Sequence, residues 1–136
     1  MEYLAGLIIG AAICAVAAVV GFDRDRSFYP TVLIVIAAFY VLFAVMGARG
    51  GVVLAEALIA GAFMLAAIVG YRRGLWLVAA ALLVHGLFDY AHPRLFGNPG
   101  VPAWWPGFCL MVDVVLAAWL GTMLLRGTRA AGQAPR

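Results

Sequence analysis

The chain has 136 residues, of which 67% are apolar and 11% are charged, and its mean hydropathy is +1.08. Soluble domains are roughly half apolar and about a quarter charged, so this composition excludes a water-soluble globule. A β-barrel is also disfavoured, because barrel strands alternate polar and apolar residues and these runs are apolar on every side. The fold class that remains is an all-α, polytopic membrane protein whose single domain covers residues 1–136.

Five charge-poor runs follow one another along the chain, and each is long enough to cross a hydrocarbon core of about 30 Å. The connections agree with this division, because Pro30 suits the first turn of a helix and Arg49-Gly-Gly and Arg72-Arg-Gly are minimal turns. One longer connection, residues 93–104, is rich in Pro, Gly, Asn and Trp. The predicted spans cover residues 3–21, 28–48, 51–71, 74–92 and 105–125.

The basic residues are nine arginines placed between the apolar runs, so they indicate topology and not nucleic-acid binding. With five spans, Arg49 and Arg94 fall on one side of the membrane and the remaining seven on the other. The positive-inside rule then predicts an amino terminus outside and a carboxyl terminus in the cytoplasm. We expect a multi-pass protein in contact with membrane lipids, in what we interpret as a bacterial inner (plasma) membrane. The seven are Arg24, Arg26, Arg72, Arg73, Arg126, Arg129 and Arg136.

Small residues recur every four positions along the first span, at Gly6, Gly10, Cys14 and Ala18. Such a stripe allows two helix backbones to approach closely, and it predicts a homo-oligomer. Cys14 and Cys109 lie inside predicted spans without any disulfide-framework spacing, so both are expected to be free thiols.

The ionisable residues of spans three to five fall at similar depths. His85, Asp89 and His92 are separated by four and three residues, which places them on one face of the fourth helix. Cys109 and Asp113 share a face of the fifth helix, so an antiparallel pair would set His85 near Asp113 and Asp89 near Cys109. Counted from the outer boundary at about 1.5 Å per residue, the depths are about 5 Å for Asp89 and Cys109, about 8 Å for Glu56 and about 10–12 Å for His85 and Asp113.

Ionisable groups inside a span are costly and usually pair within the bundle. His and carboxylate ligands at helical spacing can hold Zn²⁺, Mn²⁺ or Fe²⁺ with one position open for water or substrate. This pattern favours a metal-dependent enzyme acting on a lipid or another apolar substrate. Its predicted metal ligands are His85, His92, Asp113 and Glu56, and Asp89 is a further ligand or the catalytic base.

Three other interpretations use the same residues differently. A His–Asp hydrogen bond between two helices can be purely structural. Without a metal, the carboxylates and imidazoles can form a cation or proton site in a small transporter, which would then need a partner protomer. The chain can also be a structural subunit of a larger membrane complex.

The segment Val84-His-Gly-Leu-Phe-Asp-Tyr-Ala-His92, followed by Gly97-Asn-Pro99, Pro102 and Cys109-x3-Asp113, resembles an uncharacterised family of small bacterial integral-membrane proteins. The resemblance covers roughly residues 22–120. It implies one shared motif whose members have a function beyond helix packing, and it implies no particular activity. The motif residues are His85, Asp89, His92, Asn98, Cys109 and Asp113.

Overall fold

The computed structural model of the chain describes residues 1–47 and 50–132, with side chains described as far as residue 127. The described residues do not include Ala48, Arg49 or residues 133–136, the last of which is Arg136. The side chain of Arg129 is also outside the described part. Every long element in the described ranges is a helix, and all five helices are long and apolar enough to cross a membrane, as predicted. They are α1 (Glu2–Val20), α2 (Phe28–Gly47), α3 (Gly50–Arg73), α4 (Leu75–Leu95) and α5 (Trp105–Gly132).

Three helices extend further than the hydropathy of the sequence indicates, and α3 does so by including Arg72 and Arg73, which were predicted to lie in a turn. The fourth predicted span ends before Pro93, whereas α4 includes Pro93 in its last turn and ends at Leu95. A proline there removes one backbone hydrogen bond and leaves the carbonyl of Asp89 without its helical partner. The fifth predicted span ends at residue 125, and α5 continues to Gly132 through its arginine-containing end.

The connection between α1 and α2 is compact. Gly21 ends α1 in the left-handed conformation, with φ of 88°, and a single 3₁₀ turn follows at Phe22–Arg24. Asp25 accepts hydrogen bonds from the backbone N–H and the hydroxyl of Ser27, and these bonds hold the pKa of its carboxyl below the usual value. Arg26 donates from Nε to the carbonyl of Tyr71 at 2.7 Å, which joins this connection to the end of α3.

Helix α5 packs between α1 and α4, and α3 packs between α2 and α4. Helices α2 and α3 are neighbours, as are α3 and α4, and each pair is antiparallel. Helix α1 instead runs parallel to α5, because Gly6 faces Phe108 and Gly10 faces Val112.

The small-residue stripe of α1 is buried within the chain. Gly6, Gly10 and Cys14 of the stripe are buried, Ala18 is only half-buried, and Ala17 beside the stripe is also buried. A methyl group added at Gly10 would lie 3.1 Å from Cβ of Val115, so the absence of side chains here lets α1 and α5 come close. The stripe on which the homo-oligomer prediction was based therefore serves packing inside one chain.

Candidate metal centre

The centre of the site is formed by α4 and α5. His85 on α4 places Nδ1 2.8 Å from Oδ2 of Asp113 on α5 and 3.5 Å from Oδ2 of Asp89, one turn further along α4. All three side chains are at most 1% exposed. The predicted pairing of His85 with Asp113 is thereby confirmed.

A glycine allows the two helices to meet at this level. Gly86 follows His85, and a methyl group added to it would lie 3.0 Å from Cβ of Asp113 and 3.3 Å from the carbonyl oxygen of Leu110. Real Cβ contacts rarely come so close. Helices α4 and α5 therefore cross with almost no side-chain spacer, and the short imidazole can reach the carboxylate.

Several carboxylate oxygens of the site have no hydrogen-bond partner among the described residues. They are both oxygens of Asp89, Oδ1 of Asp113 and Oε2 of Glu56. Buried acceptors of this kind are uncommon and costly, because they have lost water without gaining a donor. Three carboxylates with two imidazoles also leave at least one negative charge even when both imidazoles are protonated. The group therefore requires a further proton or a cation.

A second pair joins α4 to α3, close to the connection that follows α4. His92 Nε2 is 2.7 Å from Oε1 of Glu56 on α3, and the Asn98 side chain donates to the same oxygen at 3.0 Å. Asn98 also donates to the Tyr40 carbonyl at 3.3 Å and accepts a bond from the Gly100 N–H. One asparagine thus ties the connection between α4 and α5 to both α2 and α3.

Tyr40 on α2 lies between the two pairs. Its ring packs against the His92 imidazole, with centroids 4.2 Å apart, and its hydroxyl interacts electrostatically with Asp89 and Glu56. The side chain is buried, and its hydroxyl has no well-formed hydrogen bond to the described residues. Tyr40 therefore connects the His92–Glu56 pair to the His85–Asp89–Asp113 group.

An open cleft of about 620 Å³ reaches the second pair from the surface. Its lining comes from the end of α4 and from the following connection, and it includes Pro93, Phe96, Pro102 and Pro106. Two polar side chains, those of His92 and Asn98, contribute to the described lining. We call this space the loop cleft. Its volume and its mainly apolar wall are typical of small-molecule sites.

The structure divides the predicted ligands into two groups. His85, Asp89 and Asp113 have potential ligand atoms within 4.8 Å of one another and could hold a metal ion. Glu56 and His92 bind each other, and no metal-capable set among the described residues includes them. Their hydrogen bond places them in a pair separate from the His85 group, and their role as metal ligands stays a prediction.

The remaining predicted residues lie beside the site. Cys109 is buried, is a free thiol and interacts electrostatically with Asp89 and Asp113, as the antiparallel arrangement implied. Asn98 positions Glu56 and does not touch the metal-capable group in any described contact. Tyr40 could not be identified from the sequence, since a tyrosine in an apolar run is indistinguishable from the aromatic residues around it.

Comparison of the chain with protein-family models, with curated proteins and with solved structures finds no match. The candidate site is therefore argued from its own geometry and chemistry.

Proposed function

We propose that this chain is an integral membrane protein that binds one divalent transition-metal ion through His85, Asp89 and Asp113. The observation that carries the proposal is the convergence of three ligand atoms within 4.8 Å in a group where three of the four carboxylate oxygens lack a hydrogen-bond partner among the described residues. One imidazole with two carboxylates suits Zn²⁺, Mn²⁺ or Fe²⁺. Three protein ligands also leave a coordination position for water or substrate.

The hydrogen bond between His85 and Asp113 has a consequence for metal binding. Nδ1 of His85 lies 2.8 Å from a carboxylate oxygen that accepts its hydrogen, and a nitrogen that carries a hydrogen cannot also bind a metal. This nitrogen must lose its proton to act as a ligand, so binding releases a proton from the pair.

We favour catalysis on an apolar substrate as the use of this ion. The supporting observation is the loop cleft, which has the size and apolar wall of a substrate site and reaches His92 beside the centre. A bound ion of this type supplies Lewis-acid activation of a substrate oxygen or of water. The chain contributes the apolar wall that binds the substrate, and Asp89, whose unpaired oxygens can accept a proton.

Metal content of the purified protein tests the proposal. Full-length protein in mild detergent is loaded separately with Zn²⁺, Mn²⁺ or Fe²⁺, and bound metal per chain is measured by elemental mass spectrometry. We expect about one ion per wild-type chain and loss of that ion in His85→Ala and Asp113→Ala. Val84→Ala, an exposed neighbour on the same helix, is the matched control and should keep the ion. Full occupancy in the double variant His85→Ala/Asp113→Ala would refute the ligand assignment.

Glu56→Gln distinguishes the two groups of the site. We expect this variant to retain bound metal, since Glu56 pairs with His92 and Asn98 and lies outside the metal-capable set. Loss of the metal with an intact fold would extend the ligand set to the second pair.

A cation or proton pathway is the second candidate function, and one observation favours it. Titratable or hydroxyl-bearing side chains continue from the loop cleft through His92, Glu56 and Tyr40 to Asp89. Reconstituted liposomes with an entrapped zinc or pH indicator distinguish the two functions. Signal that requires Asp89 would favour transport, whereas its absence together with stoichiometric bound metal favours the enzyme.

We also propose that the loop cleft opens on the outer side of the membrane. The division of seven arginines against two supports this orientation. Labelling of single cysteines placed in residues 96–104, applied to intact cells, tests it, and labelling only after cell lysis would reverse it.

A further inference from the structure

The two histidines of this chain occupy different surroundings. His85 lies among buried side chains of α3, α4 and α5, whereas His92 forms part of the wall of the loop cleft. A ligand in the loop cleft therefore meets the second imidazole and not the first.

The contacts of His92 determine its hydrogen-bonding role. Glu56 Oε1 lies 2.7 Å from Nε2, and because a carboxylate only accepts hydrogen bonds, Nε2 carries the hydrogen. A neutral imidazole with hydrogen on Nε2 has an acceptor at Nδ1. Asn98 donates to the same Glu56 oxygen at 3.0 Å and so holds the carboxylate in place.

The polar side chains at or near the loop cleft therefore differ in how much hydrogen-bonding capacity they have left for a ligand. Both ends of the Asn98 amide are occupied, by Glu56 and the Tyr40 carbonyl on one side and by the Gly100 N–H on the other. Glu56 retains a buried oxygen, Oε2, with no hydrogen-bond partner in the described part of the chain. Glu56 is not among the lining residues, so the group left for a ligand of the loop cleft is Nδ1 of His92, which is an acceptor in the neutral imidazole.

We propose that the loop cleft binds an apolar molecule whose head group donates a hydrogen bond, and that His92, positioned by Glu56 and Asn98, accepts that bond. An alcohol is the simplest member of this class. The inference deepens the proposed function and rests on it in one respect, because it takes the loop cleft as the substrate site. It assigns His92 to the substrate and not to the metal.

The test uses an octanol carrying a diazirine, and the matching diazirine octane without the hydroxyl. Each probe is photolysed with the full-length protein in liposomes. Cleavage after Arg94 and Arg126 releases residues 95–126, which contain most of the loop-cleft lining, and labelling within 96–106 is normalised to labelling of α1. We expect His92→Phe to lower labelling by the alcohol about fivefold, the factor for one hydrogen bond of about 1 kcal/mol. Labelling by the octane should not change.

Tyr90→Phe is the matched control, because Tyr90 is 50% exposed on the same helix and is not among the loop-cleft residues. It should label as wild type does. Equal labelling of wild type and folded His92→Phe by the alcohol would overturn the proposal. If His92→Phe does not fold, competition in wild type decides: excess octanol must protect residues 96–106 better than excess octane, and equal protection overturns the proposal.

Metal content measured on the same samples keeps the two proposals separate. His92-dependent labelling without bound metal would leave this inference standing and refute the metal function. Bound metal without His92-dependent labelling would leave the metal function standing and refute this inference.

Discussion

Replacing either partner of the central hydrogen bond should destabilise the protein, and His85 should be the more costly partner to lose. His85 Nδ1 is hydrogen-bonded to Asp113 at 2.8 Å and lies 3.5 Å from Asp89, close enough for an ion pair. In His85→Leu the two carboxylates are left facing each other without a cation, and breaking a buried pair in this way costs about 3–5 kcal/mol. In Asp113→Leu the imidazole keeps Asp89 nearby, so the loss is closer to one charged hydrogen bond, about 1.5–3 kcal/mol.

The difference of roughly 2 kcal/mol between these variants is measured as the free energy of unfolding in mixed micelles, with chelator present so that metal does not contribute. Val84→Leu, an exposed position beside His85, should change the free energy of unfolding by less than about 0.5 kcal/mol. The double variant His85→Leu/Asp113→Leu should cost less than the sum of the singles, since the two side chains are in contact. If Asp113→Leu costs as much as His85→Leu, then Asp89 does not share the imidazole and the reasoning fails.

Three further variants test the packing around the site. Gly86→Leu should lower the free energy of unfolding by about 1–3 kcal/mol or more, because the new side chain would collide with Asp113. The variant should also lose metal binding. Retained metal would show that α4 and α5 need not approach so closely. Gly6→Leu should destabilise the chain by a similar amount without changing its oligomeric state in light scattering, whereas dissociation of an oligomer would return the stripe to an interface between chains. Asn98→Ala should cost about 1–3 kcal/mol in thermal or denaturant unfolding, because Glu56 Oε1 keeps only His92 as a partner and the Tyr40 carbonyl loses the bond from the Asn98 amide. An unchanged stability would mean that water replaces the amide.

The sequence was most informative where polar residues interrupt apolar helices. The i, i+4 spacing of His85 and Asp89 places them on one face whatever the rest of the fold does, and consecutive spans cross a membrane in opposite directions, so α4 and α5 are antiparallel. The pairing of His85 with Asp113 followed from these two facts and a count of residues from one boundary.

The relation of α2 and α3 to α4 could not be predicted in the same way. These helices are apolar all round, so periodicity does not indicate which face turns inward. Depth placed Glu56 near the other ionisable residues, but only the packing of α3 on α4 shows that it binds His92. For the same reason the role of Tyr40 on α2 could not be predicted. The partner of the α1 stripe also stayed undetermined, because glycine spacing is identical for contacts within a chain and contacts between chains.

The parallel packing of α1 on α5 has a consequence for synthesis of the protein. Gly6 and its contact Phe108 are about a hundred residues apart, and a ribosome adding about 5–20 residues per second separates their emergence by roughly 5–20 s. Through that interval the glycine face of α1 lacks its partner α5 and is in contact with lipid or the insertion machinery. Helix α1 is thus completed by α5, so a chain truncated before α5 would expose this glycine face to any neighbouring helix with a matching groove.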